Sequence, residues 1–191
     1  MSLHWHTLAY ADTDPQQRQR IHQLLDLVWP AEPAIPSVEQ PAHDLSLAPR
    51  CILGCQDENY IAYAAILSKP VHDQQHRWLA SGLSCVCVHP AHRQSGIGQQ
   101  LLQQAWQSLR RSSADFCVFT CDPPLKRFYE QAGWQAMPGL ILRGGRQTGA
   151  LDSLSSGKTV LLRPISDKAH QSMARFASGE LDLDLPLGQF W

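Results

Sequence analysis

The segment that most constrains this chain runs from Leu83 to Gln100. Leu83–Val88 is an apolar, strand-like run. His89-Pro90-Ala91-His92-Arg93-Gln94-Ser95-Gly96-Ile97-Gly98 follows it and opens a helical pattern, with Ile97, Leu101, Leu102, Ala105 and Leu109 on one face. Gly96 and Gly98 let the backbone pass close to a ligand. Successive N–H groups from Arg93 to Gly98 would point into one concavity at the positive end of the helix dipole, with His92 and Arg93 adding donors. Such a loop suits a pyrophosphate. The dinucleotide fingerprint does not fit, because its third glycine is absent. Nor does the nucleotide P-loop, because Gln99 stands where Lys is needed. A plain strand-to-helix corner stays open on this motif alone.

The rest of the chain supplies enough core to carry such a unit. At 191 residues one domain is favoured over two, and a chain of this size buries roughly 70 % of its unfolded surface. A hydrophobic share of 43 % with 17 % charged residues excludes disorder. A net charge of −1 excludes a nucleic-acid binder working by bulk positive charge. No apolar run reaches the roughly 18 residues of a membrane span, and Met1–His6 carries no secretory pattern. The expectation is a soluble, cytoplasmic protein with no membrane or nucleic-acid partner.

Six cysteines fall into the pairs Cys51/Cys55, Cys85/Cys87 and Cys117/Cys121. Zinc sites favour two-residue spacers in turns. Here the spacers are three, one and three residues long and read as strand, so each pair places two small apolar side chains on one face. No metal site is expected.

Residues 3–10 read as a strand, and Asp14-Pro15 as a helix start. Ile21, Leu24, Leu25 and Val28 follow at helical spacing, ending before Pro30. Residues 30–49 hold five prolines and read as an irregular loop. Residues 50–56 and 60–68 form a hairpin, 69–77 a polar connection, and 78–88 a strand. A strand at 115–121, a helix at 124–132 stopped by Gly133, strands at 134–143 and 158–165, a helix at 167–176 and an acidic, apolar tail from Gly179 complete the order. Antiparallel strands feeding a strand–loop–helix unit predict a mixed α/β sheet.

A second motif follows the strand 115–121: Asp122-Pro123-Pro124-Leu125-Lys126-Arg127-Phe128-Tyr129-Glu130-Gln131-Ala132-Gly133-Trp134. Leu125, Phe128 and Ala132 form its apolar stripe. Tyr129 beside them is either packing or a proton donor for a leaving thiolate.

Together the two motifs resemble the GNAT superfamily of acetyl-CoA-dependent N-acetyltransferases. His92–Gly98 matches the family's R-x-x-G-x-G/A loop, and Phe128–Trp134 its F-Y-x-x-x-G-F/W segment. Roughly residues 1–165 are covered. The resemblance implies one acyltransferase domain over 1–191, with 166–191 as a C-terminal extension. It implies a mixed, mostly antiparallel central sheet with helices on both faces and a splayed strand pair, 83–88 and 115–121, holding the pantetheine arm of acetyl-CoA. Val86, Cys87, Val88, Arg93, Gln94, Ser95, Gly96, Ile97, Gly98, Asp122 and Phe128 would bind that cosubstrate, with Asp122 standing where many members have Asn. Tyr129 would be the general acid. A homodimer is common in the family.

The segment 158–191 is similar to the aminoglycoside 2′-N-acetyltransferases, which also end in Trp, and more faintly to the nodulation acyltransferases. That likeness implies Glu32 and the Trp191 carboxylate as holders of an amine-bearing small molecule. Ser84 stands where those enzymes place a Glu, so the base is open among Glu32, His43, Asp44 and the Trp191 carboxylate, with Ser84 at most holding a water. The expected reaction is direct acetyl transfer to a primary amine, the nascent oxyanion being met by a backbone N–H near Val86. Alternatives are a different acyl donor, a protein amine acceptor, a covalent route through Cys85, Cys87 or Cys121, and an acyl-CoA sensor without turnover. The tail acids Glu180, Asp182 and Asp184 suit a cationic acceptor, or simply face water while Leu181, Leu183 and Leu185 pack.

Overall fold

The computed structural model describes residues 2–30, 41–72 and 76–191. The chain divides into two compact units, Met1–Leu67 with Ser84–Ser108, and Ser68–Leu83 with Leu109–Trp191.

The first unit opens with β1 (His4–Ala9), a 3-10 turn at Tyr10–Asp12 and α1 (Pro15–Val28). Asp14 starts α1 with a reciprocal cap: its carboxylate accepts from Gln17 N at 2.7 Å, and the Gln17 side chain accepts from Asp14 N at 2.9 Å. Ile21 and Leu24 form its buried stripe. β2 (Arg50–Gln56) and β3 (Asn59–His72) make an antiparallel hairpin, with Leu53 opposite Tyr63. Asp57 and Glu58 both take positive φ at its tip, the two-residue turn whose twist matches the strands. β1 pairs antiparallel with β2. A register shift at Gly54/Cys55 breaks the alternation assumed for Cys51/Cys55, leaving Cys51 buried and Cys55 half-buried.

β4 (Arg77–Val88) and α2 (Ile97–Arg110) run through both units. α2 buries Leu101, Leu102, Ala105 and Leu109, as its spacing predicts.

The second unit adds β5 (Phe116–Cys121), α3 (Lys126–Glu130), β6 (Gln135–Ala136), β7 (Gly139–Arg143), β8 (Thr159–Pro164), α4 (Asp167–Gln171) and β9 (Ser178–Asp182). β4 pairs parallel with β5 over only two positions, Ala80 with Phe116 and Ser81 with Cys117. β5 pairs antiparallel with β8 along its whole length, and β6 pairs with β8. Trp78, Phe116 and Phe176 pack together with ring centroids 4.9–5.7 Å apart, Phe116 and Phe176 meeting edge to face, in this unit's core. The hydrogen-bonded strand order is β1-β2-β3-β4-β5-β8-β6, a mixed and mostly antiparallel sheet, as expected.

Three sequence expectations are corrected. The polar connection shortens, because β3 continues to His72. The strand 134–143 is two strands, because Pro138 cannot donate to a ladder and Leu140 N turns back to Met137 O at 3.1 Å. The acidic tail contains β9, paired parallel with β7 as a separate two-stranded sheet. Gly139 permits that pairing, since a Cβ there would strike the Ala177 carbonyl. No described helix is long and apolar enough to cross a membrane.

Candidate functional site

In the first unit the phosphate-type loop is built from its own main chain. His89 N donates to Ile61 O at 2.8 Å, anchoring the end of β4 to β3. Pro90–His92 is one 3-10 turn, capped by the His89 ring accepting from Ala91 N at 3.2 Å. The chain then passes through Gln94 at φ 61° and Gly96 at φ 80° before α2 begins. Ser95 Oγ donates to His92 O at 2.5 Å, closing the loop. A Cβ on Gly96 would meet nothing within 4 Å, so glycine serves the left-handed backbone there rather than a close contact. Among the described residues no acceptor meets the backbone N–H of Gln94, Ser95, Gly96, Ile97 or Gly98. Partnerless donors at the positive end of a 14-residue helix suit an anionic group such as a diphosphate.

Arg93 lies against the end of β4. Its Nε donates to Val88 O at 3.3 Å, so the side chain folds back along β4. Cys85 has φ 51°, a left-handed residue inside β4 that interrupts the pleat between Ser84 and Val86. The Cys85/Cys87 alternation is lost as a result: Cys87 is buried and Cys85 half-buried. Ser84 Oγ donates to Cys85 Sγ at 3.6 Å. Burial pushes the Cys87 thiol up to about 12 and raises that of Cys85, which works against a thiolate nucleophile at either.

His43 lies in a buried network of the same unit. Its Nε2 and Tyr63 Oη are 2.8 Å apart, and Tyr63 Oη is 3.5 Å from Cys51 Sγ. Burial first, then the nearby His22, pushes the His43 pKa down to about 4. Such an imidazole is neutral at pH 7 but a weak base. Asp44 Oδ1 accepts from Ser46 N at 2.8 Å and caps a short turn. Glu32 lies outside the described residues. Tyr63 was not flagged by the sequence reading, since an isolated Tyr in a strand carries no signal.

The second unit holds Tyr129, Phe128, Asp122 and Trp191. Tyr129 is 6 % exposed on α3 and packs edge-on against Phe119 at 4.9 Å and Phe128 at 5.0 Å. Burial, with Cys121 and Asp122 nearby, pushes its phenol well above the usual range, so the hydroxyl keeps its proton. Asp122 Oδ1 pairs with Lys158 Nζ, so its carboxylate is already engaged. Burial pushes the Cys121 thiol up to about 11.

Trp191 is 5 % exposed. Its main-chain oxygen accepts from Thr120 N at 3.3 Å and from Thr120 Oγ1 at 3.4 Å, on β5. The tail acids have partners: Glu180 forms two 2.8 Å bonds with Arg143, Asp182 one with Arg146, and Asp184 lies 3.6 Å from Lys69. Leu181, Leu183 and Leu185 are buried, so the alternation describes packing.

Residues 49–136 match the sequence model of the acetyltransferase (GNAT) domain. No curated protein matches the chain. Among solved structures, ElaA of Escherichia coli is 21 % identical with a TM-score of 0.61, over 85 % of this chain and 99 % of that one. The GNAT family N-acetyltransferase YhbS of Escherichia coli, solved with CoA, is 20 % identical with a TM-score of 0.61, over 95 % and 91 %. An aminoglycoside 6′-N-acetyltransferase complexed with coenzyme A is 12 % identical with a TM-score of 0.59, over 84 % and 97 %. At these identities the structural likeness establishes the fold.

Proposed function

We propose that this chain, whose residues 49–136 match the acetyltransferase (GNAT) domain model, is an N-acetyltransferase of that kind and transfers an acetyl group directly from acetyl-CoA to the primary amine of a small, cationic acceptor. One observation carries the reading: the five consecutive amides from Gln94 to Gly98, without acceptors of their own at the start of α2. They fit the diphosphate of coenzyme A. Main-chain groups of Val86 and Val88, beyond the left-handed residue Cys85, take the pantetheine arm.

Tyr129 is the proton donor to the departing thiolate. Its raised pKa keeps the proton in place until a thiolate forms beside it. A free alkylamine titrates near ~10, so it reaches the site mostly as a cation. That cation sheds its proton to solvent water before the amine attacks the thioester carbonyl. His43 is a poor base for the reason given above, and Ser84 serves to place a water. The likeness of segment 158–191 to the aminoglycoside 2′ enzymes supports an aminosugar as acceptor.

Calorimetry with acetyl-CoA, followed by thiol release with a panel of alkyl diamines, polyamines and aminosugars, tests the proposal. Saturable binding and turnover with at least one amine are expected. Binding without turnover would favour an acyl-CoA sensor, a reading to which Ser84 in place of a carboxylate lends some support. Absence of binding would overturn both.

A further inference from the structure

We propose that a cavity in the first unit, bordered by the turn that leads into the amide loop, is a second ligand site: it takes a small carboxylate with an apolar body and acts on that loop. The action on the coenzyme rests on the acyl-CoA reading above; the site itself does not. The cavity holds about 410 Å³, within the roughly 300–1,000 Å³ of small-molecule pockets. Its wall comes from α1, the β2–β3 hairpin and the 3-10 turn after β4, all within the first unit.

Local sequence sets the residue types on that wall. Arg20, Leu24 and Leu27 stand at i, i+4 and i+7, on one face of α1. Tyr60 and Ile61, near the start of β3, line the same cavity. Leu24 and Ile61 are buried, whereas Leu27 is 50 % exposed. An apolar side chain left half in water on a cavity wall is surface for an apolar ligand to cover. Arg20 supplies the contact for a head group. Its ion-pair partner Glu58 lies 4.0 Å away and is itself exposed, a pairing too long for a hydrogen bond and worth little. The guanidinium fork therefore has N–H donors left for a carboxylate, which it can hold through two parallel bonds. Asp57 shares the wall and Glu58 stands beside Arg20, so the local charge suits a single negative charge and opposes a phosphate dianion.

The rest of the wall belongs to the loop. His89 and His92 both line the cavity, their rings edge to face at 5.4 Å. His89 N donates to Ile61 O at 2.8 Å, and His92 O accepts from Ser95 Oγ. His92 thus joins the cavity wall to the run of amides from Gln94 to Gly98. A ligand packed on that wall favours one arrangement of the loop, and an effect on CoA follows from that preference.

Calorimetric titration of the full chain with phenylacetate, L-phenylalanine and inorganic phosphate tests the site, in the native chain and in Arg20→Met and Leu27→Glu. At least one of the two carboxylates should bind saturably, and the tighter of them tells whether the occupant is a plain acid or an amino acid. Phosphate should bind at least about tenfold more weakly. Arg20→Met should weaken the carboxylate about tenfold or more, the loss of a charge-assisted pair. Leu27→Glu, at an exposed helix position, should weaken it by charge repulsion while thermal melting shows the fold intact. Saturating carboxylate should shift the Kd for CoA about fivefold, to a fixed limit. Binding of neither carboxylate, phosphate binding as tightly, or carboxylate binding that survives both substitutions would overturn the site. A CoA Kd that climbs without limit as carboxylate is added would reveal one shared site and overturn the second one, and an unmoved Kd would overturn the action on the loop. A native chain that binds carboxylate but no CoA species would remove the acyl-CoA reading and leave the carboxylate site standing.

Discussion

Arg163 of β8 lays its guanidinium where a side chain on Gly133 would begin: a Cβ there would lie 2.8 Å from the Arg163 Cζ. The same guanidinium donates to Ala132 O at 2.6 Å and sits 5.4 Å from the centre of the Trp134 ring. The Tyr-x-x-x-Gly-Trp spacing is therefore a structural device that ends α3 and ties it to β8. Gly133, at φ 93°, also lets Trp134 N reach Tyr129 O at 3.2 Å. Gly133→Ala should cost about 2–3 kcal/mol, combining left-handed strain of about 1–2 kcal/mol with the displaced arginine contacts. Urea unfolding monitored by Trp fluorescence measures it.

Tyr129→Phe separates packing from chemistry. The ring contacts with Phe119 and Phe128 survive the change, so stability should move by less than about 1 kcal/mol. Thiol release should fall by about 10²-fold or more in kcat with little change in CoA affinity, the usual size of a general-acid contribution. Stability carries its own pH signature. The folded phenol titrates above the unfolded one, so the unfolded chain loses its proton first, and native stability should fall as pH rises above about 10. The Phe variant should lack that component.

The loop and the Tyr129 motif were legible in the sequence because each is contiguous and each depends on glycine at a fixed offset. Gly96 and Gly133 both take positive φ in the structure. Trp191 was legible only as a tail residue. Its placement against Gly82 and Thr120 depends on residues more than seventy positions away, and no local pattern encodes that. β9 was missed for the same reason: its partner β7 is set by Pro138 and Gly139 together with the buried leucines of the tail. The breaks in alternation at Gly54/Cys55 and at Cys85 were invisible, because a bulge alters the register without altering the composition.

His43 provides an acid-side test. Its folded pKa of about 4 lies below the ordinary value of 6.5, so the unfolded state takes up a proton first as pH falls. Stability from this group is complete above pH 6.5 and is lost between 6.5 and about 4. The loss amounts to about 3 kcal/mol at 1.36 kcal/mol per pKa unit. His43→Gln, which keeps a hydrogen-bonding partner for Tyr63, should be less stable at pH 7.5 but show a flatter profile between pH 7 and 4.5. Urea midpoints across that range check it. A profile parallel to that of the native chain would mean that His43 titrates normally.

The loop makes two opposite predictions at neighbouring positions. Gly96 sits at φ 80°, where any side chain is strained, so Gly96→Ala should pull the loop toward another backbone conformation and misdirect the amides of Ser95 to Ile97. With strain of about 1–2 kcal/mol opposing the binding-competent form, the Kd for CoA should rise about tenfold. Gln94 already occupies φ 61° with a full side chain, so Gln94→Gly removes an existing strain. That variant should keep its CoA affinity within about twofold and lose no more than about 0.5 kcal/mol of stability, because relief of the left-handed residue offsets the added freedom of the unfolded chain. Calorimetry with CoA alone, which lacks an acyl group and needs no acceptor, reads both. Equal weakening by the two substitutions would show that backbone shape at Gly96 is not what holds the diphosphate.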